Sequence, residues 1–169
     1  ILRARAAALA MQHGMITADE AVNLVGDSEY GKIRLKTITA ETGPETLPPR
    51  VLRHIENSYS AMSKGDGARA LREIDAGMKI APGNPTLSNH QIVALNLLGR
   101  HEEADEIARA LAEREPDYFF ARTAMADLCI REGRLDEAEV WFAPLDQRDK
   151  YHFSEFITLA VLKFQFYLI

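Results

Sequence analysis

The fold of this chain is decided by one pattern that occurs three times, as Lys64-Gly65-Asp66-Gly67-Ala68-Arg69-Ala70-Leu71, as Gly99-Arg100-His101-Glu102-Glu103-Ala104 and as Gly133-Arg134-Leu135-Asp136-Glu137-Ala138. The first glycines of the three stretches are 34 residues apart, because 99 − 65 and 133 − 99 both give 34. An alanine follows each of them after five residues, and Pro82 and Pro116 keep the same interval of 34. A fixed period of this length indicates a chain built from repeated structural units.

Each recurring residue type predicts one local feature of the unit. The glycine is expected to end a first helix, where the backbone often takes a left-handed conformation that glycine tolerates. The alanine is expected in a second helix, at a point where two helices approach closely. The proline closes the second helix because it cannot continue the hydrogen-bond ladder. The pattern therefore predicts a series of helix–turn–helix units.

The period and the Gly…Ala…Pro pattern resemble the tetratricopeptide repeat family, whose units are helical pairs of 34 residues. The resemblance covers Pro49–Ala143 and extends in part to Ile169. It implies an all-α fold, a right-handed α-α superhelix of helical hairpins. The bulky aromatic residue that the family has early in the first helix is replaced by His54, Ser88 and Arg122. We therefore expect somewhat irregular packing.

Two parts of the chain are expected from this pattern. Residues 1–48 are expected to form an N-terminal helical and extended segment with a linker, and residues 49–169 the repeat domain. The repeats are expected near 51–84, 85–118 and 119–152, with a partial fourth at 153–169. First helices are expected near Pro49–Ser63, Pro85–Leu98 and Tyr118–Arg131, and second helices near Gly67–Ile80, His101–Glu113 and Leu135–Phe142.

Local signals refine the ends of these helices. Asn84 before Pro85 is a good helix start, and Asp117 is expected to cap the third unit in the same way. Pro144 follows Pro116 after 28 residues (144 − 116) instead of 34. Since proline interrupts a helix, the second helix of the third unit is expected to be shortened or kinked.

The C-terminal stretch Phe153–Ile169 has the length of one more helix, and we expect it to be the first helix of a fourth unit. No glycine turn follows it, so the chain is expected to stop in the middle of a repeat. Such an end exposes apolar surface, because each unit buries its face only against a neighbour. A truncated chain and a homo-oligomer formed through this apolar helix would each explain it.

The N-terminal part carries shorter signals. Arg3–His13 and Thr17–Val25 are expected as helices, and Tyr30–Ile38 as a strand or an extended arm. The two short helices with a wing at Lys32–Thr37 are distantly similar to a winged helix-turn-helix. The alternative is a capping or docking element, which the acidic charge of the chain favours.

Composition and charge narrow the class of protein. The chain has 169 residues, of which 47% are hydrophobic and 27% charged, an ordinary globular balance. A net charge of −5 lacks the electrostatic footprint of a nucleic-acid-binding protein. The stretch Phe156–Ile169 is too short to span a bilayer, and the N-terminus has no secretory signal. We expect a cytoplasmic protein that binds neither nucleic acid nor membranes.

The sequence shows no set of residues arranged for catalysis or for metal binding. Gly65-Asp66-Gly67 lacks the other residues of a phosphate-binding loop, and the five histidines lack the spacing of metal ligands. The single cysteine, Cys129, is expected to be a packed thiol, and it cannot form an internal disulfide. We therefore expect no enzyme activity, no metal and no cofactor.

The family resemblance implies a binding surface, because the first helices of such repeats line a concave groove that receives a peptide. The expected partner-binding residues are Tyr59, Met62, Asn89, His90, Asn96, Arg100, Thr123, Asp127, Arg131 and Arg134. Asparagine can bond both the N–H and the C=O groups of a peptide, and arginine can bind a carboxylate through two bonds. Tyr59 and Met62 offer apolar contacts.

The family's clamp for a C-terminal carboxylate is not expected here. Its places are taken by Ile55, Tyr59, Val93, Thr123 and Asp127, none of which is basic. The expected function is that of a protein-interaction scaffold or adaptor that binds a peptide or protein partner. The alternatives are a secretion chaperone of the same repeat type and a transcriptional regulator with an N-terminal DNA-binding element. The N-terminal segment could also fill the groove itself.

Overall fold

Helices make up most of the part of the chain that the structure describes, which is residues 37–39 and 47–169 of a computed structural model. In chain order these residues form β1 (Thr37–Thr39), α1 (Pro49–Met62), α2 (Gly67–Ile80), α3 (Pro85–Leu97), α4 (His101–Arg114), α5 (Phe119–Arg131), α6 (Leu135–Asp146), β2 (Lys150–His152) and α7 (Phe153–Leu168). The expected all-α class is confirmed. The one addition to it is a short parallel pairing of β1 with β2.

The helices pack in the order in which they follow one another. α1 packs on α2, α3 on α4 and α5 on α6, and the second helix of each pair contacts the first helix of the next. The first helices also contact one another, α1 with α3 and α3 with α5. Leu71 packs against the core clusters of the first and second pairs, and Trp141 against those of the second and third. The core is therefore continuous from pair to pair.

The turn inside each pair is closed in the same way. Gly65, Gly99 and Gly133 have φ values of 75°, 71° and 72°, the left-handed conformation expected of them. The N–H of the residue after each glycine donates to a carbonyl five residues earlier, at N···O distances of 3.0 Å for Asp66 to Ala61, 2.9 Å for Arg100 to Leu95 and 2.8 Å for Arg134 to Cys129. This bond pattern is a Schellman helix end. The predicted role of the three glycines is confirmed.

The recurring alanines lie where helices meet. Ala70, Ala104 and Ala138 are fully buried, one in each second helix. A larger side chain at these positions would push the packed helices apart. The prediction made from their spacing is therefore confirmed, and it explains why the same small residue recurs in three otherwise different helices.

Helix α6 is longer than the sequence predicted. The expected end was Phe142, but the helix continues to Asp146 with Pro144 inside it. Pro144 lies in the last turn, so its missing N–H removes a single hydrogen bond of the ladder. Phe142 and Leu145 on either side of it are buried in the third core cluster. The burial of these two side chains holds the turn helical.

The two predicted N-caps differ in outcome. The Asn84 side chain accepts from the N–H of Leu87 at 3.0 Å, as expected, with Pro85 at the first helical position. The prediction for Asp117 is wrong, because α5 begins after Tyr118 without a side-chain cap. The Asp117 carboxylate instead accepts a bond of 2.9 Å from the Arg122 guanidinium. An ion pair with a residue five positions along the chain has taken the place of the cap.

Strand β2 joins the third pair to α7. Thr37, Ile38 and Thr39 pair in parallel register with Lys150, Tyr151 and His152. The extended arm expected up to Ile38 is confirmed for its last two residues, whereas its partner was not predicted. The ring of Tyr151 is buried, and its hydroxyl donates to the carbonyl of Leu145. The expected helices Arg3–His13 and Thr17–Val25, and all but Thr37 of the wing, lie outside the described residues.

Helix α7 begins with a capping box. The His152 ring accepts from the N–H of Ser154 at 3.3 Å, and the Glu155 carboxylate accepts from the N–H of His152 at 2.9 Å. The expected C-terminal helix is thus confirmed at Phe153–Leu168. Within the described ranges, no helix combines the length and the apolar character that crossing a membrane requires.

Candidate partner-binding surface

The first helices α1, α3 and α5 carry most of the residues predicted to bind a partner, but only a few of these side chains are open to solvent. α3 and α5 contact helices on several sides, so most of their side chains are covered. The large apolar side chains that remain exposed on α1 and α3 are Tyr59 (65%), Val93 (41%) and Leu97 (47%). Among α1, α3 and α5, only α1 and α3 therefore carry large apolar side chains that are exposed.

Tyr59 and His90 lie side by side across the junction of α1 and α3, with ring centroids 6.5 Å apart. Beneath them, the buried hydroxyl of Ser58 is 2.7 Å from Nδ1 of His90 and donates to the carbonyl of Ile55 at 2.8 Å. Because the hydroxyl proton is used in that bond, Nδ1 of His90 is the atom that donates to Ser58. Burial lowers the pKa of His90 to about 4, so the ring is neutral at pH 7.

The polar residues of this surface lie along α3. Asn89, Val93 and Asn96 follow one another at steps of four and three residues, so they share a face of the helix. The carboxamide oxygen of Asn96 is 3.0 Å from Nδ1 of His101 at the start of α4. Amide groups therefore lie on the same face of α3 as the exposed apolar side chain of Val93. Met62 at the end of α1 is half-buried against the first core cluster.

Helix α5 contributes an ion cluster rather than exposed apolar side chains. The Arg131 guanidinium donates to the Asp127 carboxylate at 3.0 Å and also to Asp105, which lies on α4. The bond to Asp105, and then that to Asp127, raises the pKa of Arg131 above its ordinary value. Two carboxylates against one guanidinium leave this cluster one negative charge in excess. Thr123 is only 3% exposed and bonds the carbonyl of Phe120, so it cannot reach a partner from α5.

The two arginines expected at the rim are used in their own turns. Nε and Nη2 of Arg100 donate to Glu103 at 2.7 and 2.6 Å. Arg134 donates to Glu132 at 2.8 Å and also to Glu137. Both arginines precede a second helix, and each acidic partner within that helix, Glu103 or Glu137, lies three residues further on. In the free protein these guanidinium groups therefore bind the chain itself, not a carboxylate of a partner.

Two residues of this surface, Leu97 and Asp105, were neither in the predicted set nor at the positions of the family's clamp. Leu97 follows Val93 by one helical turn, so an extension of the same face would have found it. Asp105 lies on a second helix, where the repeat pattern expects no groove residue. It reaches Arg131 only because α4 packs on α5, and no local signal in the sequence indicates that contact.

Other polar clusters hold helices together. Glu73 on α2 accepts from His54 at 2.8 Å and from Asn57 at 3.3 Å, and the bond to His54 is the main reason why its pKa is lowered. The thiol of Cys129 is buried, and this burial raises its pKa. Among the described residues, no three or more His, Cys, Asp or Glu side chains are grouped so that they could hold a metal ion.

Comparisons of the chain with protein-family models, with curated proteins and with solved structures gave no match. What this surface can bind must therefore be inferred from the repeat period and from the geometry of α1, α3 and α5. Three observations carry it: the exposed side chains of α1 and α3, the neutral bridge from Ser58 to His90, and the acidic cluster around Arg131.

Proposed function

We propose that the chain is a tetratricopeptide-type interaction scaffold, which binds a peptide segment of a protein partner along its first helices. In this proposal the helical pairs stack into a right-handed superhelix, and α1, α3 and α5 line its concave side. The period of 34 residues and the identical closure of three turns support the stacking. A cytoplasmic location belongs to the same proposal.

The observation that carries the proposal is the exposure of Tyr59, whose ring lies beside that of His90 on α3, together with the exposure of Val93 and Leu97 further along α3. An isolated exposed leucine or valine needs no explanation, but grouped apolar side chains bordered by polar ones are typical of binding sites. Tyrosine is also enriched where proteins bind one another, because it buries a large ring and keeps a polar end. This part of the surface suits an apolar side chain of a peptide.

The ion cluster on α5 adds a preference for charge. Asp105 and Asp127 exceed Arg131 by one negative charge, so this end of the surface favours a basic residue over a terminal carboxylate. α5 also contacts α3, which carries Val93. The preferred peptide therefore has an apolar anchor next to α1 and α3, and a lysine or arginine nearer α5.

A selection from a random peptide library, followed by calorimetric titration of the enriched peptides, tests this function. We expect Tyr59→Ala and Val93→Asp to weaken binding about tenfold or more, since central aromatic and apolar anchors carry most of the energy of small interfaces. Val140→Asp is the matched control, because Val140 is an exposed valine on the second helix α6. Enriched peptides that bind all three variants as tightly as the wild type would refute the proposal.

A further inference from the structure

Helix α7 has a second apolar face that the described residues leave uncovered. On the first face, Leu159, Leu162 and Phe166 are buried in the core of the third pair. The second face, which we name the outer face, is formed by Phe153, Ile157, Val161, Phe164 and Leu168, all between 45% and 65% exposed. Their steps of four, four, three and four residues place them on one side of the helix.

No charged side chain belongs to the outer face. α7 contains two charged residues, and both are held by the segment that precedes the helix. Glu155 accepts from Arg148 at 3.0 and 3.1 Å, and Lys163 is paired with Asp146. An apolar stripe of four turns without a charge is unusual on a monomer and typical of a surface that packs against another protein.

Four of the five residues of the outer face are placed symmetrically about its middle, and the fifth, Val161, lies next to that middle. Counted from the point between Ala160 and Val161, Ile157 lies as far to one side as Phe164 to the other, and Phe153 as far as Leu168. Two antiparallel copies related by a two-fold axis at this point would therefore place an aromatic ring against an aliphatic side chain in both outer pairs. An interface between identical copies requires such self-complementarity.

We propose that this chain forms a homodimer in which the outer faces of two α7 helices pack antiparallel, with the two-fold axis between Ala160 and Val161. The five half-exposed side chains of the outer face present on the order of 600 Å² if a large apolar side chain carries about 200 Å². Two copies would bury about 1,200 Å², which reaches the lower limit of specific protein interfaces. The proposal does not depend on the peptide-binding surface, which lies on α1, α3 and α5.

Sedimentation velocity over a concentration series tests the dimer. We expect the wild-type chain to shift from monomer to dimer as its concentration rises. Ile157→Lys and Phe164→Glu should each raise the dimer Kd about a hundredfold, because each buries an unpaired charge against an apolar side chain. Ile80→Lys is the matched control, since Ile80 is 44% exposed and Ile157 45%, and among the described elements α2 packs chiefly on α1 and α3.

Mixing the two single variants tests the register. In an antiparallel pair, the lysine at 157 of one copy faces the glutamate at 164 of the other, and the wild-type Ile157 and Phe164 meet on the other side. The mixture should therefore form a heterodimer, although each variant alone stays monomeric. A parallel pair would bring 157 against 157 and 164 against 164, so the mixture would form no ion pair and would leave each charge against an apolar side chain.

Three results would overturn the proposal. The first is a wild-type chain that stays monomeric over the whole series, including one that instead binds vesicles of neutral phospholipid through α7. The second is a dimer that both charged variants retain while their helical circular dichroism is unchanged. The third is a mixture of the two variants that remains monomeric. If the single variants fail to fold, the failure of the mixture to recover helical signal also counts against the antiparallel register.

Discussion

The histidine at position 90 shows how a single side chain couples two helices and makes their packing depend on pH. Its ring is largely buried between α1 and α3 and donates to Ser58, and burial lowers the pKa of His90 from 6.5 to about 4. In the unfolded chain the same ring regains an ordinary pKa. Between these two values the unfolded state binds a proton that the folded state does not, so stability falls as the pH falls.

We predict that the free energy of unfolding decreases by about 1.5 kcal/mol between pH 6.5 and pH 5, since the slope grows from half of roughly 1.4 kcal/mol per pH unit at pH 6.5 to nearly the full value at pH 5. Urea titrations at both pH values measure it. His90→Gln, which keeps a donor for Ser58 but does not titrate, should remove most of the difference. Glu73 does not interfere, because its lowered pKa acts at more acid pH. An equal decrease in the variant would contradict the assignment.

Gly67 lets α2 approach the end of α3 closely, because it has no side chain. A Cβ atom placed there would lie 2.9 Å from the carbonyl oxygen of Ala94 and 2.9 Å from Cγ of Leu98. We predict that Gly67→Ala lowers the free energy of unfolding by about 1 to 3 kcal/mol, because α2 must move away from α3. Thermal unfolding followed by circular dichroism measures it. Ala68→Ser, at the exposed next position, is the control, and equal midpoints for the two variants would refute the close approach.

At the scale of the helix, the sequence predicted those turns and helix ends that depend only on residues close by in the chain. The glycines between first and second helices marked their turns because a left-handed residue is needed there, and Asn84 with Pro85 marked a start because both act on neighbouring backbone. Pro144 misled the prediction because its local rule ends a helix, whereas the burial of Phe142 and Leu145 prolongs this one. These two side chains are buried together with residues of α7, which lies later in the chain, so no rule based on neighbouring residues could predict this burial.

The proposed binding surface was only partly predictable for a similar reason. Helical spacing placed Tyr59, Val93 and Asn96 on exposed faces of first helices. Spacing could not show that Arg131 is already bound by Asp105, because that ion pair joins helices of different pairs. The ion pair determines which variants can test the proposed surface. Arg131→Ala would release two carboxylates and disturb α4 and α5, so Tyr59 and Val93 are the cleaner positions.

At the scale of the whole molecule, the core clusters are joined by shared residues, which makes the stack cooperative. Leu71 packs against the first and second clusters, and the single tryptophan, Trp141, against the second and third. Stability in such a stack is a sum of unit and interface contributions. Weakening one interface should therefore let the pairs on its two sides unfold separately.

We predict that Leu71→Ala splits the urea unfolding of the chain into two transitions. The helical signal should begin to fall at lower urea, because about 2 kcal/mol or more of packing is lost at the first interface. Trp141 fluorescence should keep nearly its wild-type midpoint, because it reports the second and third pairs. In Ile80→Ala, which changes an exposed side chain of the same helix, the two signals should stay together. Coincident transitions in Leu71→Ala would show that the stack unfolds as one unit.

The pairing of β1 with β2 limits how this molecule could change over evolution. Repeat stacks commonly lengthen by duplication of a unit, since every new unit finds a neighbour of the same kind. Here a strand that precedes the first unit is bonded to one that follows the third, and only nine residues separate Thr39 from Pro49. Those nine residues reach at most about 30 Å. A duplicated unit would move β2 further from α1, so duplication must either break the strand pair or lengthen the linker.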